Sequence, residues 1–338
     1  SPEHSCFLVI YNCDGQGARG TGQGAQGKGH RGKGHRGKGT QEQGTRTQKQ
    51  QHMELVYFNG KYLPKEEVRI SPDDRGFLLA DGVYEVVRWY GNGFYDIEGH
   101  MARLKRSLAS LSIDWPQVDQ FKTIATDLIR LNMLGCEHSM VYLQVTRGEA
   151  RRSHNFPAQG TLPTIYAYSW GFTPDSDARA NGIKVITKED IRWKRCDIKS
   201  IALLPNTLSF QEAYEKGTKE CIFIRDGIIT ECSHSNVFMV TNGILYTHPE
   251  SNLILSGITR SNVIRISREA GITVSEEQVR KSRIKYADEI FITNTSSEIT
   301  AVTEIDGRIV GTGKPGRITT LLQEKFDAET FSLKRLEA

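Results

Sequence analysis

The feature that most constrains this chain is a boundary near residue 52, because no apolar residues recur at strand or helix spacing through residues 14–52. Residues 1–52 hold 12 of the 32 glycines of the 338-residue chain and include the repeat GKGHRGKGHRGKG. Because residues 14–52 lack periodic apolar side chains, they cannot bury enough surface to offset the entropy that ordering costs. We therefore expect residues 1–52 to be a disordered, Gly-rich basic tail, an extension that is not part of the fold, with the fold beginning at Met53.

The charge changes at the same boundary. Residues 1–52 carry 8 Lys and Arg against 3 Asp and Glu, a net of +5, whereas the whole chain has a net of +4, which leaves −1 for the remainder. A basic tail can contact nucleic acid nonspecifically, so a non-catalytic nucleic-acid-associated protein is one alternative. The balanced charge of the remainder disfavours it, and we do not expect a nucleic-acid partner.

Hydropathy and cysteine spacing indicate the compartment in which the protein resides. No stretch approaches 18 consecutive apolar residues, which disfavours a membrane span. The cysteines have neither CxxC spacing nor a histidine at metal-ligand spacing, so we expect free thiols and no bound metal. These patterns predict a cytoplasmic protein.

Short strands, tight turns and amphipathic helices follow residue 52. Asn59-Gly60, Asp226-Gly227 and Asn242-Gly243 each separate two apolar runs, which predicts hairpins, and 81–97 predicts a further strand pair about Gly91-Asn92-Gly93. Apolar residues at three- and four-residue spacing predict helices, among them 101–111, 117–134 and 258–270.

These elements predict two domains. The polar stretch TPDSDARAN (173–181) is typical of a linker. On either side we expect a small domain of sheet and helices over 53–172 and a larger domain over 182–332. The larger domain should contain a mixed, largely antiparallel sheet or pseudo-barrel, which makes the fold class α+β.

Lys199 and Glu231 are the candidate reactive groups. Lys199 lies in RCDIKSIALLP, directly before an apolar run, and a dry environment favours the neutral amine that Schiff-base chemistry requires. Most lysines so placed nevertheless point to water. Glu231 ends the strand IITEC before several hydroxyl residues and could pair with a protonated ring nitrogen. It could equally be a strand-end carboxylate beside turn-forming serines.

Two further segments have the chemistry of anion sites. SGITR (256–260) opens a helix whose free backbone N–H groups could bind a phosphate, although Ser256 could simply cap that helix. The loop TRGEARRSH (146–154) clusters arginines that suit a carboxylate, or form a solvated basic loop. The sequence lacks GxGxxG, P-loop, HExxH and GxSxG motifs in the core, which disfavours other enzyme classes.

Residues from Met53 to about Phe331 resemble class IV aminotransferases, the pyridoxal phosphate enzymes of fold type IV. Within that family the chain is most similar to the D-amino acid aminotransferases of bacteria. The segments that carry the resemblance are RGFLLADGVYEVV, HMARLKRSLASL, VTRGEARRSHNF, EDIRWKRCDIKS, ITECSHSNVF, ILSGITR and ITNTSSEIT.

The resemblance implies a role for each candidate residue. Lys199 would be the catalytic Schiff-base lysine and Glu231 the partner of the pyridine nitrogen. The remaining cofactor-binding residues would be Arg103, Ile258, Thr259 and Thr295 at the phosphate, with Ser235 and Leu255 beside the ring. Tyr84, Arg152 and His154 would hold the substrate carboxylate. In the family the Arg-x-His element reaches in from the other subunit, which implies a homodimer.

The implied reaction is transfer of the amino group between D-amino acids, such as D-alanine or D-glutamate, and 2-oxo acids. Cys232, His234 and Ser256 depart from the family's pattern and affect cofactor tuning and pocket shape. On the same fold, a branched-chain L-amino acid or (R)-amine transaminase remains an alternative, as does an aminodeoxychorismate lyase. Arg152-Ser153-His154 discriminates among them, because an amine has no carboxylate to hold.

Overall fold

Two β-sheets with helices against them make up the computed structural model, which describes residues 54–136 and 138–333. The disordered tail predicted for 1–52, the fold start at Met53 and any nucleic-acid contact of the tail fall outside the described residues. None of the described helices has the length and hydrophobicity needed to cross a bilayer.

The first sheet is antiparallel throughout, in the order β2-β1-β5-β4-β3. Its strands are β1 (Leu55–Phe58), β2 (Lys61–Pro64), β3 (Gly82–Tyr90), β4 (His138–Thr146) and β5 (Thr164–Gly171). Asn59 and Gly60 turn the predicted first hairpin with φ angles of 45° and 89°, the left-handed region that such two-residue turns require.

Helices cover one face of this sheet. They are α2 (Ile97–Ser110) and α3 (Phe121–Leu131), with a 3₁₀ turn at Val118–Gln120 before α3, whereas the short helix α1 (Arg75–Leu79) precedes β3. Leu104 and Leu108 of α2, predicted from their helical spacing, are buried against Val87 and Leu143 of the sheet. The apolar stripe of α2 therefore forms the core of this half.

The prediction of a strand pair over 81–97 is wrong, because only its first strand forms, as β3. Only a single bridge joins Trp89 to Phe94, after which the chain enters α2. Asp96 explains the difference, because its side chain accepts a hydrogen bond from Gly99 N at 3.0 Å and caps the helix. An N-cap at that position leaves too few residues for a returning strand.

The second sheet has ten strands among the described residues and is mixed. Parallel pairs join β6 to β7, β6 to β14 and β10 to β11, and the other pairs are antiparallel. The strands are β6 (Ile183–Glu189), β7 (Glu220–Arg225), β8 (Ile228–Cys232), β9 (Asn236–Thr241), β10 (Ile244–Thr247), β11 (Val274–Glu276), β12 (Val279–Arg280), β13 (Glu289–Asn294), β14 (Glu298–Ile305) and β15 (Arg308–Ile309).

The helices of this half are α4 (Ser176–Asn181), α5 (Leu204–Glu215), α6 (Ile258–Glu269) and α7 (Arg317–Phe331). Short 3₁₀ turns lie at Lys65–Glu67 in the first half and Lys281–Tyr286 in the second. A small antiparallel sheet with helices, followed by a larger mixed sheet with helices, confirms the predicted α+β class.

The segment predicted as a linker, 173–181, contains α4. Asp175 starts this helix by accepting a hydrogen bond from Ala178 N at 3.0 Å. The domain limits proposed from the sequence stay a prediction, although β5 ends at Gly171 in the first sheet and β6 begins at Ile183 in the second.

Strand β3 joins the first sheet to the segment that precedes α5. Val83 forms a β-bridge with Ser200. Tyr84 N donates to Lys199 O at 3.0 Å, and Ile201 N donates to Gly82 O at 3.1 Å. The backbone at Lys199 is thus held by the edge strand of the first sheet.

Candidate active site

A cavity of about 600 Å³ lies where β3, the Lys199 segment, the end of β8, the start of α6 and the end of β13 meet. That volume suits a cofactor-sized ligand. The predicted residues on its wall are Tyr84, Arg103, Lys199, Glu231, Ser235, Leu255, Ile258, Thr259 and Thr295. The structure brings all the predicted site residues to this cavity except Arg152 and His154.

Lys199 is fixed at its backbone and presents its amine to the cavity. Lys199 N donates to Ser107 Oγ of α2 at 3.2 Å, and Lys199 O accepts from Tyr84 N. The Nζ atom lies 4.2 Å from the centroid of the Tyr84 ring, a distance at which the π face attracts the ammonium form. The ring thus holds the side chain at the cavity wall, where the amine can act as a nucleophile once it is deprotonated.

Glu231 is a buried carboxylate on the same wall, 5% exposed. One oxygen accepts from Asn236 Nδ2 at 3.0 Å and from Leu255 N at 2.9 Å, and the other forms an ion pair with Arg192. Burial raises the pKa of Glu231, and Arg192 with the Leu255 N–H opposes that rise. These donors fix the carboxylate and favour its ionised form.

Arg192 is a site residue that sequence reasoning missed. Its guanidinium makes two 2.8 Å hydrogen bonds to Asp190 besides its ion pair with Glu231. Asp190 also pairs with Arg225 at 3.0 Å, and although burial opposes them, the two guanidinium groups lower the pKa of Asp190. The i, i+2 spacing of Asp190 and Arg192, which places both on one side of an extended chain, could have indicated this pair.

One end of the cavity, at the start of α6, has the chemistry of an anion site. The first residues of α6, Ile258 and Thr259, line it, and helix starts carry free N–H groups and partial positive charge. A Cβ on Gly257 would lie 2.0 Å from Asn236 Oδ1, so only glycine allows this close approach. The buried Thr293 Oγ1, also on the wall, has no hydrogen-bond partner within the described chain.

Arg103 supplies the positive charge at this end. Its Nε and Nη2 each donate to the fully buried Glu85 at 2.8 Å, and its Nη1 donates to Ser256 O at 3.1 Å. Although burial opposes them, Arg103 and His100 hold the pKa of Glu85 well below its usual range. The guanidinium is therefore fixed by a permanent carboxylate, while Nη1 keeps a second proton for a ligand.

The remaining predicted residues on the wall differ in whether their side chains are free to contact a ligand. Ser235 Oγ is already engaged, because it donates to Glu220 at 3.0 Å and accepts from Asn294 Nδ2 at 2.8 Å. Thr295 is half-buried at the end of β13. Leu255 adds an apolar side chain next to Glu231. Thr293 and Asn236 are further wall residues that no sequence pattern singled out.

Arg152 and His154 are exposed and lie away from the cavity of their own chain. Arg147, which the sequence grouped with them, is instead buried against Asp81, with Nε and Nη2 bonds of 2.7 and 3.0 Å. Its guanidinium carbon lies 3.7 Å from the centroid of the Phe156 ring. Arg147 therefore anchors the base of the loop that carries Arg152 and His154.

The chemical groups on the cavity wall fit pyridoxal phosphate. A positive helix start, a fixed arginine and an unpartnered buried hydroxyl suit a phosphate. A buried, hydrogen-bonded carboxylate suits a ring nitrogen, and a cavity-lining lysine suits an aldehyde. Sheet layout alone could not identify these partners, since the residues come from five separate segments.

The chain is similar to proteins of known function over most of its length. The family model for class IV aminotransferases matches residues 82–305. The D-alanine aminotransferase of Bacillus licheniformis is 40% identical over 280 residues, covering 81% of this chain and 98% of that protein. The D-alanine aminotransferase of Staphylococcus haemolyticus is 38% identical, with 81% and 97% covered.

Solved structures show the same fold. The branched-chain amino acid aminotransferase of Escherichia coli superposes with a TM-score of 0.76 at 26% identity, covering 83% of this chain and 95% of that one. The chain belongs to the class IV aminotransferases. It is an aminotransferase, and its cofactor is pyridoxal 5'-phosphate.

Proposed function

We propose that this enzyme transfers the amino group of D-amino acids, such as D-alanine and D-glutamate, to 2-oxo acids. The observation that carries the proposal is the shared cavity of Lys199, Glu231 and the α6 start. The D preference rests on the D-alanine aminotransferases that match nearly their whole length. The branched-chain enzymes, which share the fold at lower identity, fit less well.

In this proposal Lys199, Glu231, Arg103, Ile258, Thr259 and Thr295 hold the cofactor, with Ser235 and Leu255 beside it. When bound, the cofactor stabilises negative charge that develops at the substrate Cα. The Glu231 carboxylate holds a proton at the ring nitrogen, which Arg192 and Asn236 aid by fixing that carboxylate. Lys199 Nζ takes the proton from the substrate Cα and later returns a proton as a general acid.

Tyr84, Arg152 and His154 are proposed to bind the substrate carboxylate and so to set which face of Cα meets Lys199. Tyr84 already lines the cavity. Arg75 Nη1 donates to Ser153 O at 2.8 Å, and together with Arg147 it holds the loop against its own subunit. An anchored loop that presents Arg152 and His154 outward supports a homodimer, in which this loop completes the partner's site.

A cytoplasmic location is part of the same proposal. Cys196, Cys221 and Cys232 are buried and free as expected, which suits a reducing compartment, whereas Cys136 is disulfide-bonded. Burial raises the pKa of the Cys196 thiol to about 11, so this thiol stays protonated and unreactive at neutral pH.

A substrate panel tests the proposal directly. With 2-oxoglutarate as acceptor, we expect amino transfer from D-alanine at a kcat/KM at least about 100-fold above that for L-leucine or an (R)-amine, since a carboxylate held on the wrong face loses reaction geometry. Chiral chromatography of the residual donors and detection of glutamate give the readout. Faster turnover of L-leucine than of D-alanine would instead support the branched-chain alternative.

Arg152→Ala tests the carboxylate-binding role. Loss of a two-bond arginine–carboxylate contact should raise KM for D-alanine about 10- to 100-fold. Turnover of a neutral amine should change little, because it has no carboxylate. Initial-rate kinetics on both substrates measure the split, and Arg151→Ala, in the same exposed loop, is the matched control. Equal effects of Arg152→Ala on the two substrates would place the carboxylate site elsewhere.

A further inference from the structure

His234 is a cavity residue to which the proposed reaction assigns no role. It lies in the turn between β8 and β9, three residues after Glu231, and lines the same cavity as Lys199. Its neighbours from Glu231 to Asn236 are each between 1% and 6% exposed, whereas 49% of the His234 side chain is accessible. His234 is therefore the residue of this turn that a molecule in the cavity would meet.

The imidazole is held in one orientation. Its Nδ1 lies 2.9 Å from a Glu220 carboxylate oxygen and 2.9 Å from Ser233 Oγ. The Phe210 ring of α5 contacts it edge-on, with the two centroids 5.1 Å apart. With Nδ1 committed to Glu220, the outer nitrogen, Nε2, is left to donate to a ligand.

Glu220 favours the protonated form of the imidazole. This carboxylate is fully buried, and it accepts hydrogen bonds from Cys221 N at 2.8 Å, from Ser235 Oγ at 3.0 Å and from Ser233. Burial opposes its ionisation, yet His234 and these donors lower the pKa of Glu220. In turn, although burial alone would lower it and Lys199 also opposes it, Glu220 raises the pKa of His234. The ion-pair geometry therefore favours the ionised form of Glu220 and the protonated form of His234.

The other basic side chains that line the cavity already have partners or roles. Arg103 is paired with Glu85, and Arg192 with Asp190 and Glu231. The Lys199 amine is assigned to the cofactor in the proposed function. Among the described residues that line the cavity, His234 is thus the basic side chain left to donate an N–H group to a substrate.

We propose that His234 binds the distal carboxylate of dicarboxylic substrates, D-glutamate and 2-oxoglutarate, through its outer imidazole N–H. This inference rests on the proposed function, since it assigns a preference among substrates of that same site. The enzyme then favours five-carbon dicarboxylic donors and acceptors over D-alanine and pyruvate. A site built to donate to a charged group discriminates more strongly than an apolar pocket does.

The test compares His234→Ser and His234→Gln with the wild type, using D-glutamate and D-alanine as donors and 2-oxobutyrate as the common monocarboxylic acceptor. We expect His234→Ser to lower kcat/KM for D-glutamate about 10- to 100-fold, mainly through KM, while the value for D-alanine changes by less than about threefold. His234→Gln keeps a neutral hydrogen-bond donor, so its kcat/KM for D-glutamate should lie between the values for the wild type and His234→Ser. An unchanged ratio of the two donors in both variants overturns the inference.

Two readouts separate binding from a structural effect. Isothermal calorimetry should show that glutarate binds the wild-type holoenzyme about tenfold or more tightly than it binds His234→Ser, with butyrate binding both equally. In the wild type the D-glutamate preference should be present below the raised pKa of His234 and fall as the pH rises through it. Equal glutarate binding by the two proteins overturns the inference.

The D-alanine reaction distinguishes this inference from the proposed function. If the wild type transfers the amino group of D-alanine but its donor ratio is insensitive to His234, only the His234 assignment fails. If the wild type uses neither D-alanine nor D-glutamate, the proposed function fails and takes this inference with it.

Discussion

Lys199→Ala is expected to abolish covalent cofactor capture and to lower transamination roughly 10⁴-fold or more. The reason is geometric: the amine above Tyr84 is the nucleophile in this cavity, and alanine leaves the phosphate contacts intact but removes the reacting atom. The wild type should be yellow, and borohydride should bleach the colour and fix the cofactor to the chain.

Mass spectrometry of the reduced protein locates the modified residue. Lys194→Ala is the matched control, because Lys194 is an exposed lysine of the same segment that does not line the cavity. This control should stay yellow and active. A reducible, covalently bound cofactor retained by Lys199→Ala would refute the assignment of the lysine.

Glu231→Gln is expected to slow proton abstraction from the substrate about 10²- to 10³-fold. Glutamine can accept a hydrogen bond at the ring nitrogen, but it carries no negative charge to keep a proton there. Single-turnover absorbance changes with D-alanine measure the step, and deuterium at Cα should give a larger isotope effect in the variant than in the wild type.

The Glu231→Gln variant is expected to fold. Arg192 keeps its two bonds to Asp190 when Glu231 is neutralised, so the guanidinium does not become an unpaired buried charge. The matched control is Glu304→Gln, since Glu304 lies on a strand, pairs with Lys184 and does not line the cavity. This control should keep full activity. A near-normal single-turnover rate in Glu231→Gln would refute the ring-nitrogen role.

Local turn chemistry and periodicity predicted much of the fold. The Asp226-Gly227 and Asn242-Gly243 turns join β7 to β8 and β9 to β10 as expected, with positive φ angles at all four residues. The pair predicted about Gly91-Asn92-Gly93 failed, because the capping of α2 by Asp96 competes with a returning strand. Capping at a distance of three residues was the missed signal.

The site was predictable to the extent that residue type implies chemistry. Lys199, Glu231 and the α6 start were candidates from their local surroundings, the family resemblance gave them roles, and the structure places them on one wall. Arg192 and Thr293 were not, since their relevance depends on contacts made by distant strands. Arg147 was misjudged for the same reason: Asp81, far away in sequence, draws it into the interior.

The backbone hydrogen bond from Tyr84 to Lys199 has a consequence for protein engineering. The aromatic ring of Tyr84 belongs to β3 of the first sheet and the reactive amine of Lys199 to the segment before α5, yet the bond and the Val83–Ser200 bridge join them as one unit. Recombining this enzyme with a relative at the junction of the two halves would separate that unit. A functional chimera must therefore inherit β3 and the 199–201 segment from the same parent.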